Sequence, residues 1–199
     1  MDINNPQSTD LLVLEGIVTT TNEDGSANIS PMGPLVDREI QQLKLRPFHT
    51  SQTYRNLKRT GHGVLHVTDD VELIARAAIG QYEPPPHLLQ VTERGIILAD
   101  ACRWFAFRVI TLDDAADRTT IRCEVVARGE LRPFFGFNRA KHAVIEAAIL
   151  ATRVGILPAQ QIRQEMERLG IPVQKTAGEQ ERRAFELLRA YVEAQLPAG

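Results

Sequence analysis

The sequence predicts a mainly β protein with added helices, in which a β-barrel in residues 1–132 precedes a C-terminal helical section in residues 133–199. Before residue 132, short runs of Val, Ile, Leu and Thr are separated by Gly, Pro, Asn and Asp, a pattern typical of strands joined by tight turns. Roughly six or seven such runs at short spacing indicate a barrel or a sandwich. After Pro133, apolar residues recur at helical spacing instead. We therefore expect two domains with a boundary near residue 132.

The strand-rich section begins with a predicted hairpin. Residues 11–14 and 17–21 predict one long β segment with a bulge or kink at Gly16, because glycine inside a strand often marks a bulge. Residues 22–25 predict a tight turn, since Asn, Asp and Gly tolerate positive φ. Residues 27–30 then resume an extended strand. Further strands are predicted at residues 63–68, 88–91 continuing to 98, 102–111 and 119–128.

Helices are predicted from their end signals. The first covers residues 53–60 and ends at Gly61, and the second runs from an N-cap at Asp69 or Asp70 to Ile79. Residues 83–86 contain three prolines and predict a loop. In the C-terminal section, helices are predicted at residues 140–154, from Pro158 to a stop at Gly170, and at residues 179–196, with residues 172–178 as a linker.

Composition excludes several classes of protein. Of the 199 residues, 43% are hydrophobic and 24% are charged, which is ordinary for a folded domain. The net charge of -2 gives no general attraction to nucleic acid or to an anionic membrane. No apolar run approaches the roughly 18 residues that a membrane span needs, and the N-terminus has no basic segment of the signal-peptide type. Two cysteines without CxxC spacing favour a reducing compartment, so we expect a cytoplasmic protein.

Residues 38–62 contain the strongest local excess of positive charge. Glu39 is their one acid, against six basic residues: Arg38, Lys44, Arg46, Arg55, Lys58 and Arg59. Thr50, Ser51 and Thr53 stand where the first helix begins, so their hydroxyls meet the free N–H groups of its first turn. A helix N-terminus with hydroxyl donors and a nearby guanidinium can bind phosphate. The alternative is that Ser51 merely caps the helix and that the basic residues form a solvated face.

Two other stretches are candidates for ligand contact. In residues 132–142 the polar residues Arg132, Asn138, Arg139, Lys141 and His142 alternate with Phe134, Phe135 and Phe137. Such a mixture can stack a planar ring, although we favour burial of the three phenylalanines where the helical section meets the barrel, with Asn138 as a helix cap. Residues 30–34 predict an unpaired strand end, where exposed backbone groups and Met32 can meet a flat ligand.

Other chemistry finds little support. The five histidines have no metal-binding spacing, so no metal site is expected, and His66 is expected to be a hydrogen-bonded strand residue. Cys102 and Cys123 lie in apolar strands and are expected in the core. There is no dinucleotide loop, phosphate loop or GxSxG motif. The sequence names no catalytic acid, base or nucleophile.

Several motifs together carry a resemblance to a known family. They are residues 15–21, the turn, residues 28–33 (NISPMG), Arg46-Pro47-Phe48 and residues 50–57 (TSQTYRNL). This order resembles the FMN-binding split β-barrel superfamily, which includes the flavin reductases. With residues 138–146 (NRAKHAVIE) as a second signature, the chain more closely resembles the flavin-binding family known as domain of unknown function 447, from about Leu11 to Leu196.

The resemblance implies a flavoprotein with FMN bound near the interface of a homodimer. It implies that Asn28, Ser30, Pro31 and Met32 border the flavin ring, that the phosphate and ribityl groups contact Arg46, Thr50, Ser51, Thr53 and Asn56, and that Asn138 and Arg139 close the site or contact substrate. The function implied is that of a flavin-dependent oxidoreductase acting on an unknown small molecule. One alternative is a flavin- or pterin-binding protein without turnover, linked to methanopterin-type one-carbon metabolism. A barrel that has lost its cofactor and a nucleic-acid-binding protein are more distant alternatives.

Overall fold

The computed structural model of the chain describes residues 11–81, 88–91 and 95–197. The chain divides into two compact units, Met1–Thr68 with His87–Pro133 and Asp69–Pro86 with Phe134–Gly199. Strands and one helix form the first unit, and helices form the second. The second unit takes in the helix that follows Asp70, although in the sequence this helix stands between strands. The proline-rich stretch 83–86, predicted to be a loop, lies outside the described residues.

Among its described residues, the first unit contains an eight-stranded antiparallel sheet, a separate two-stranded sheet and one helix. The strands are β1 Leu12–Val13, β2 Gly16–Thr21, β3 Ala27–Met32, β4 Leu35–Val36, β5 Gln42–Leu45, β6 His62–Val67, β7 Leu88–Val91, β8 Gly95–Leu98, β9 Arg103–Asp113 and β10 Thr120–Glu130, and the helix is α1 Gln52–Thr60. The strand order in the large sheet is β1-β4-β5-β10-β9-β6-β2-β3, and β7 pairs with β8. Strand β3 therefore forms one edge of the sheet, and α1 packs against β2 and β3.

The predicted turn between β2 and β3 is confirmed. The Asn22 N–H donates to the Ser26 carbonyl (2.9 Å), and the Asp24 carboxylate accepts from the Ser26 N–H (2.9 Å). Gly25 has a φ of 82°, a conformation that glycine adopts without strain. The turn aligns Thr20 with Asn28 across the strand pair. It thereby sets which polar residues of β3 face α1.

The core of the sheet lies beneath α1. Leu57 of α1 packs with Val18, Leu65, Phe107 and other buried residues of the sheet. A smaller cluster of Val64, Ile97 and Ala106 joins the sheet to β8. Both cysteines are buried, as predicted, and burial raises the pKa of the Cys123 thiol to about 12. His66 is buried with both ring nitrogens in contact with backbone, Nδ1 with the Ile17 carbonyl (3.2 Å) and Nε2 with the Leu98 N–H (3.1 Å), which confirms its structural assignment.

Some strand predictions were wrong. Residues 11–21 form two strands rather than one, because β1 pairs with β4 whereas β2 pairs with β3 and β6. Residues 88–91 and 95–98 form two paired antiparallel strands, β7 and β8, rather than one continuing strand. Strands β4 and β5 were not predicted, since two or four residues are too few to show a period. Residues 30–32 are paired along one side, with Pro31 opposite Ile17, so this segment is an edge strand rather than an unpaired end.

The second unit contains α2 Val71–Ala78, α3 Arg139–Ala151, α4 Ala159–Thr176 and α5 Glu179–Gln195. The caps at Asp70 and Asn138 and the helix start at Pro158 agree with the sequence. The predicted stop at Gly170 and the linker at residues 172–178 were wrong, because α4 continues through both Gly170 and Pro172. Buried Ile162, Met166 and Val173 lie on one side of α4, and their packing outweighs the backbone hydrogen bond that Pro172 cannot donate.

The three phenylalanines before α3 are exposed, so the prediction that they would be buried was wrong. The exposed fractions are 47% for Phe134, 75% for Phe135 and 93% for Phe137. The backbone of this segment is nevertheless held in place, because the Phe135 N–H donates to the Asp69 carboxylate (2.7 Å). Lys141 donates to the Asp69 carbonyl (2.7 Å) and forms an ion pair with Glu181 (2.7 Å). These polar contacts fix the loop without burying its rings.

Candidate functional site

A network of polar side chains joins β2, β3 and α1 in the first unit. The Asn28 side-chain amide of β3 donates to the hydroxyls of Thr20 (3.0 Å) and Thr53 (3.1 Å). The Asn56 amide of α1 donates to the same Thr20 hydroxyl (3.0 Å) and to the Asn22 side-chain oxygen (2.9 Å). Thr20, Thr53 and Asn56 are almost fully buried. The network fixes the start of α1 to the beginning of β3.

The start of α1 presents several donors. Ser51 is the N-cap, and its hydroxyl accepts from the Tyr54 N–H (3.1 Å), which leaves the hydroxyl proton available to an acceptor. The first-turn N–H groups of an α-helix have no partner within the helix. Thr50 is exposed, and its carbonyl accepts from the Arg55 guanidinium (2.9 Å). Hydroxyls, backbone N–H groups and one guanidinium thus meet within six residues of sequence, from Thr50 to Arg55.

Strand β3 supplies the extended part of the candidate site. Ser30, Pro31 and Met32 are half-buried, and each pairs with β2 on one side only. The other side is the edge of the described sheet, where alternate N–H and C=O groups have no neighbouring strand. The Asn28 contact with Thr53 brings this strand next to the start of α1. An elongated ligand at the start of α1 can therefore extend along β3.

A groove lies between the β2–β3 turn and the polar side of α1. It has a volume of about 520 Å³ and is lined by residues 22–24 of the turn and by Gln52, Arg55, Asn56 and Arg59 of the helix. The Gln52 amide donates to the Asn56 side-chain oxygen (2.9 Å), so the groove shares a wall with the buried network. We call this space the turn–helix groove. Both its arginines are exposed on α1.

The predicted site residues fall into three groups. The network brings together Asn28, Thr53 and Asn56. Thr50 and Ser51 lie next to it at the start of α1, and Ser30, Pro31 and Met32 follow Asn28 along β3. Arg46 precedes α1, and its backbone carbonyl accepts from the Arg118 guanidinium (3.1 Å). Asn138 and Arg139 belong to the other unit, where the Asn138 side-chain oxygen caps α3 by accepting from the Ala140 N–H (2.8 Å). A ligand role for these three residues stays a prediction.

Sequence reasoning did not assign five polar residues of this region to the site. Thr20 and Asn22 accept hydrogen bonds in the network, and Gln52, Arg55 and Arg59 line the turn–helix groove. The two arginines were noted only for their charge. A signal for the helical ones was present, because Gln52, Arg55, Asn56 and Arg59 recur at intervals of three and four residues along one side of α1. No local pattern marked Thr20, because its role depends on the pairing of β2 with β3 and on the packing of α1.

A second polar cluster lies on the other side of α1. The Tyr54 hydroxyl donates to Asp114 (2.7 Å), and Lys58 donates to the same carboxylate oxygen (2.9 Å). The hydrogen bond from Lys58 holds the pKa of Asp114 below its usual range. His49 stacks on the Tyr54 ring at 5.1 Å between ring centroids. The cluster joins α1 to the β9–β10 connection.

In the part of the chain that the structure describes, no three His, Cys, Asp or Glu residues are grouped so as to hold a metal ion.

Comparison with protein families gives two matches in chain order. The model described as "Protein of unknown function (DUF447) N-terminal domain" matches residues 14–132, and that described as "Protein of unknown function (DUF447)" matches residues 138–190. A search of curated proteins found no significant match. No helix among residues 11–81, 88–91 and 95–197 is long and apolar enough to cross a membrane.

Solved structures share the fold. An FMN-bound DUF447 protein from Methanosarcina mazei matches with a TM-score of 0.76 and 19% identity, over 92% of this chain and 95% of that one. The styrene monooxygenase flavin reductase from Pseudomonas putida matches with a TM-score of 0.51 and 16% identity, over 61% and 82%. Flavoredoxin from Methanosarcina acetivorans matches with a TM-score of 0.52 and 12% identity, over 67% and 80%. These likenesses confirm the predicted split β-barrel with C-terminal helices.

Proposed function

The chain belongs to the DUF447 family, and from this premise we propose that it binds FMN at the start of α1 and along β3, and that it acts as a flavin-dependent oxidoreductase on a small molecule. One observation carries the proposal. The hydrogen bond from Asn28 to Thr53 (3.1 Å) joins the segment predicted to bind phosphate to the strand predicted to border the ring. The FMN-bound family member from Methanosarcina mazei and the flavin reductases of like fold support the choice of ligand.

The residues at the start of α1 fit a phosphate group. Thr50 and Ser51 offer accessible hydroxyls, the first turn offers N–H groups, and Arg55 supplies a guanidinium that is bonded only to neutral oxygens among the described residues. Hydrogen bonds to a charged group contribute roughly 1.5–3 kcal/mol each. Three of them are therefore sufficient for a strong preference for the phosphorylated flavin. Arg46 remains a proposed further contact.

The residues of β3 fit the flat part of the ligand. Ser30, Pro31 and Met32 are half-buried, so each has surface left for contact, and the open edge of β3 offers backbone donors and acceptors to a polar ring edge. Asn56 fits a different role, because its amide donates to Thr20 and Asn22 and its oxygen accepts from Gln52. We assign Asn56 to positioning α1 rather than to direct contact.

The chemistry of the proposed reaction comes from the cofactor. Bound flavin supplies hydride or electron transfer, while the protein contributes binding, orientation and electrostatics. The chain's own part is to hold the phosphate at α1 and to align the ring with β3. The oxidoreductase function is compatible with the lack of an obvious acid, base or nucleophile in the sequence. As part of the proposal we include a homodimer, substrate contact by Asn138 and Arg139, and a cytoplasmic location, which the two buried free cysteines support.

The phosphate contact is tested by comparing FMN with riboflavin. Flavin-free protein is titrated with each ligand, and quenching of flavin fluorescence gives the dissociation constant. We expect wild type to prefer FMN by tenfold or more, and we expect Thr50→Ala with Ser51→Ala, which removes the two accessible hydroxyls, to weaken FMN by one to several factors of ten while changing riboflavin less. Thr152→Ala, at an exposed threonine that ends α3, is the control. Wild-type FMN affinity in the double variant would show that this segment does not bind the phosphate.

The oxidoreductase function is tested on the FMN-loaded protein. Addition of NADH or NADPH without oxygen should bleach the visible flavin absorption band if the protein accepts hydride from a pyridine nucleotide. Absence of bleaching with both donors, together with tight FMN binding, would favour the alternative of a flavin-binding protein without this activity. A colourless protein whose melting temperature does not rise on addition of FMN would contradict both functions.

A further inference from the structure

The turn–helix groove is only partly accounted for by the proposed FMN site. Gln52 and Asn56 connect it to the buried network, but Arg59 and the turn residues Glu23 and Asp24 lie beyond that network. Its volume of about 520 Å³ lies within the range of small-molecule sites, roughly 300–1,000 Å³. The space is therefore large enough for a ligand portion in addition to the phosphate at the start of α1.

Both guanidiniums of the groove are held in place without being neutralised. Arg55 donates to the Gln52 side-chain oxygen (2.8 Å) and to the Thr50 carbonyl (2.9 Å). Arg59 donates to the Thr21 carbonyl. Within the described residues neither arginine forms an ion pair with a carboxylate. Two oriented positive groups, one helical turn apart, thus favour an anion such as a phosphate.

The opposite wall of the groove is acidic, whereas the helix wall carries the two arginines. Glu23 and Asp24 are exposed carboxylates on the turn, and Asp24 already accepts from the Ser26 hydroxyl (2.6 Å) and the Ser26 N–H (2.9 Å). A carboxylate accepts hydrogen bonds from hydroxyl groups, as acidic residues do with the ribose of dinucleotides. A ligand that matches both walls has a phosphate at one end and hydroxyl donors a few atoms away. Ribose 5′-phosphate has this arrangement.

We propose that the turn–helix groove binds the ribose-phosphate portion of a nucleotide, with the phosphate at Arg59 beside Arg55 and the ribose hydroxyls at Glu23. The groove shares Arg55 with the proposed phosphate site at the start of α1, so the Arg55 contact rests on the proposed function, whereas Arg59, Glu23 and Asp24 belong to the groove alone. Two sources have this chemistry: the adenylate half of FAD, which would continue from the flavin phosphate at α1, and a separate nucleotide such as a reduced pyridine dinucleotide that binds beside FMN.

Calorimetric titration of the FMN-loaded full chain with 5′-AMP tests the groove. We expect AMP to bind, adenosine to bind at least tenfold more weakly, and Arg59→Gln to weaken AMP about tenfold or more, as expected for the loss of a charge-assisted hydrogen bond. Arg59→Lys should retain part of the affinity. Arg168→Gln, at an exposed arginine of the other unit, is the matched control and should bind AMP as wild type does.

A second pair of titrations tests the ribose contact. Glu23→Gln should reduce the preference for AMP over 2′,3′-dideoxy-AMP, because the variant replaces the charged acceptor of the hydroxyls with a neutral one. Absence of detectable AMP binding to the wild-type protein at AMP concentrations up to about 10 mM would overturn the proposal. Equal AMP affinity in wild type and Arg59→Gln would also overturn it.

The two sources give different results in Arg59→Gln. If the groove holds the adenylate half of FAD, the variant weakens FAD while FMN affinity is unchanged. If the groove holds a separate nucleotide, Arg59→Gln weakens the binding of ADP-ribose to the FMN-loaded protein. In that case wild type binds FAD no more tightly than FMN. Failure of the flavin proposal is recognised separately, because AMP binding that depends on Arg59 in a protein without FMN affinity would retain the groove and reject the flavin site.

Discussion

Replacement of Thr53 by valine tests the contact that joins the two halves of the candidate site. Valine keeps the shape of threonine but has no hydroxyl, and Thr53 is only 2% exposed, so water cannot replace the lost group at this position. The Asn28 amide would keep its contact with Thr20 and lose the one with Thr53. The donor left unpaired belongs to half-buried Asn28, so we expect a cost toward the lower end of the about 1–3 kcal/mol that an unsatisfied buried donor costs.

Two measurements follow this change. Urea unfolding of the flavin-free protein, monitored by circular dichroism, should show a free energy of unfolding lowered by about 1–3 kcal/mol. A loss of that size corresponds to a melting temperature lower by roughly 2–12 °C for a chain of this length. FMN should bind about tenfold more weakly, because the variant loosens β3 from the start of α1 and lacks one hydroxyl of the site.

The control is Thr152→Val, at an exposed threonine whose hydroxyl donates to the Ile149 carbonyl (2.7 Å) at the end of α3. This variant should stay within about 0.5 kcal/mol of wild type and bind FMN normally. Equal stability and equal FMN affinity in Thr53→Val and wild type would refute the reasoning, since the Asn28–Thr53 hydrogen bond would then contribute neither to the fold nor to the site.

Three further predictions concern the fold. Gly16→Ala should lower the free energy of unfolding by about 1–3 kcal/mol, because the added Cβ would lie 2.3 Å from the His66 carbonyl oxygen. Chemical denaturation measures the loss, and an unchanged denaturation midpoint would contradict the close approach. Burial lowers the pKa of His66 to about 4, so as pH falls below about 6.5 this histidine is protonated in the unfolded chain but not in the folded one. The free energy of unfolding should therefore fall by up to ~3 kcal/mol between pH 6.5 and 4. A His66→Gln variant with the same pH dependence would exclude this residue as the cause. Glu181→Gln should lower the free energy of unfolding by about 3 kcal/mol, because it leaves the largely buried Lys141 ammonium without the carboxylate that lies 2.7 Å away. Thermal unfolding that matches wild type would mean that the ion pair contributes little to stability.

The features that the sequence predicted well are controlled by residues near one another in the chain. The turn at residues 22–25 depends on its own Asn, Asp and Gly, and the starts of α1, α2 and α3 depend on the side chains of Ser51, Asp70 and Asn138. A capping side chain bonds to an N–H two or three residues later, so its effect is visible in a short stretch of sequence. The ordered motifs identified the family for the same reason, and both matches confirm it.

The wrong predictions concern features that distant residues control. Helix α4 passes through Gly170 and Pro172 because Val173 is buried by its packing, although both residues locally favour an end. Met32 lies on a paired edge strand because β2 supplies a partner for residues 27–32. The exposure of Phe135 and Phe137 depends on the anchoring of their loop by Asp69 and Lys141. In each case the contact that decides the structure joins residues far apart in the sequence.

The candidate site divides in the same way. The amino-acid sequence alone determined the hydroxyls and cations before α1, the β3 motif and the family to which both belong. Only the tertiary structure decided that Asn28 meets Thr53, that Thr20 connects β2 to Asn56, and that the Arg55 guanidinium donates to the Thr50 carbonyl. The physical reason is that a hydrogen bond between side chains requires both groups within about 3 Å, and strand register and helix packing, rather than local sequence, set that distance.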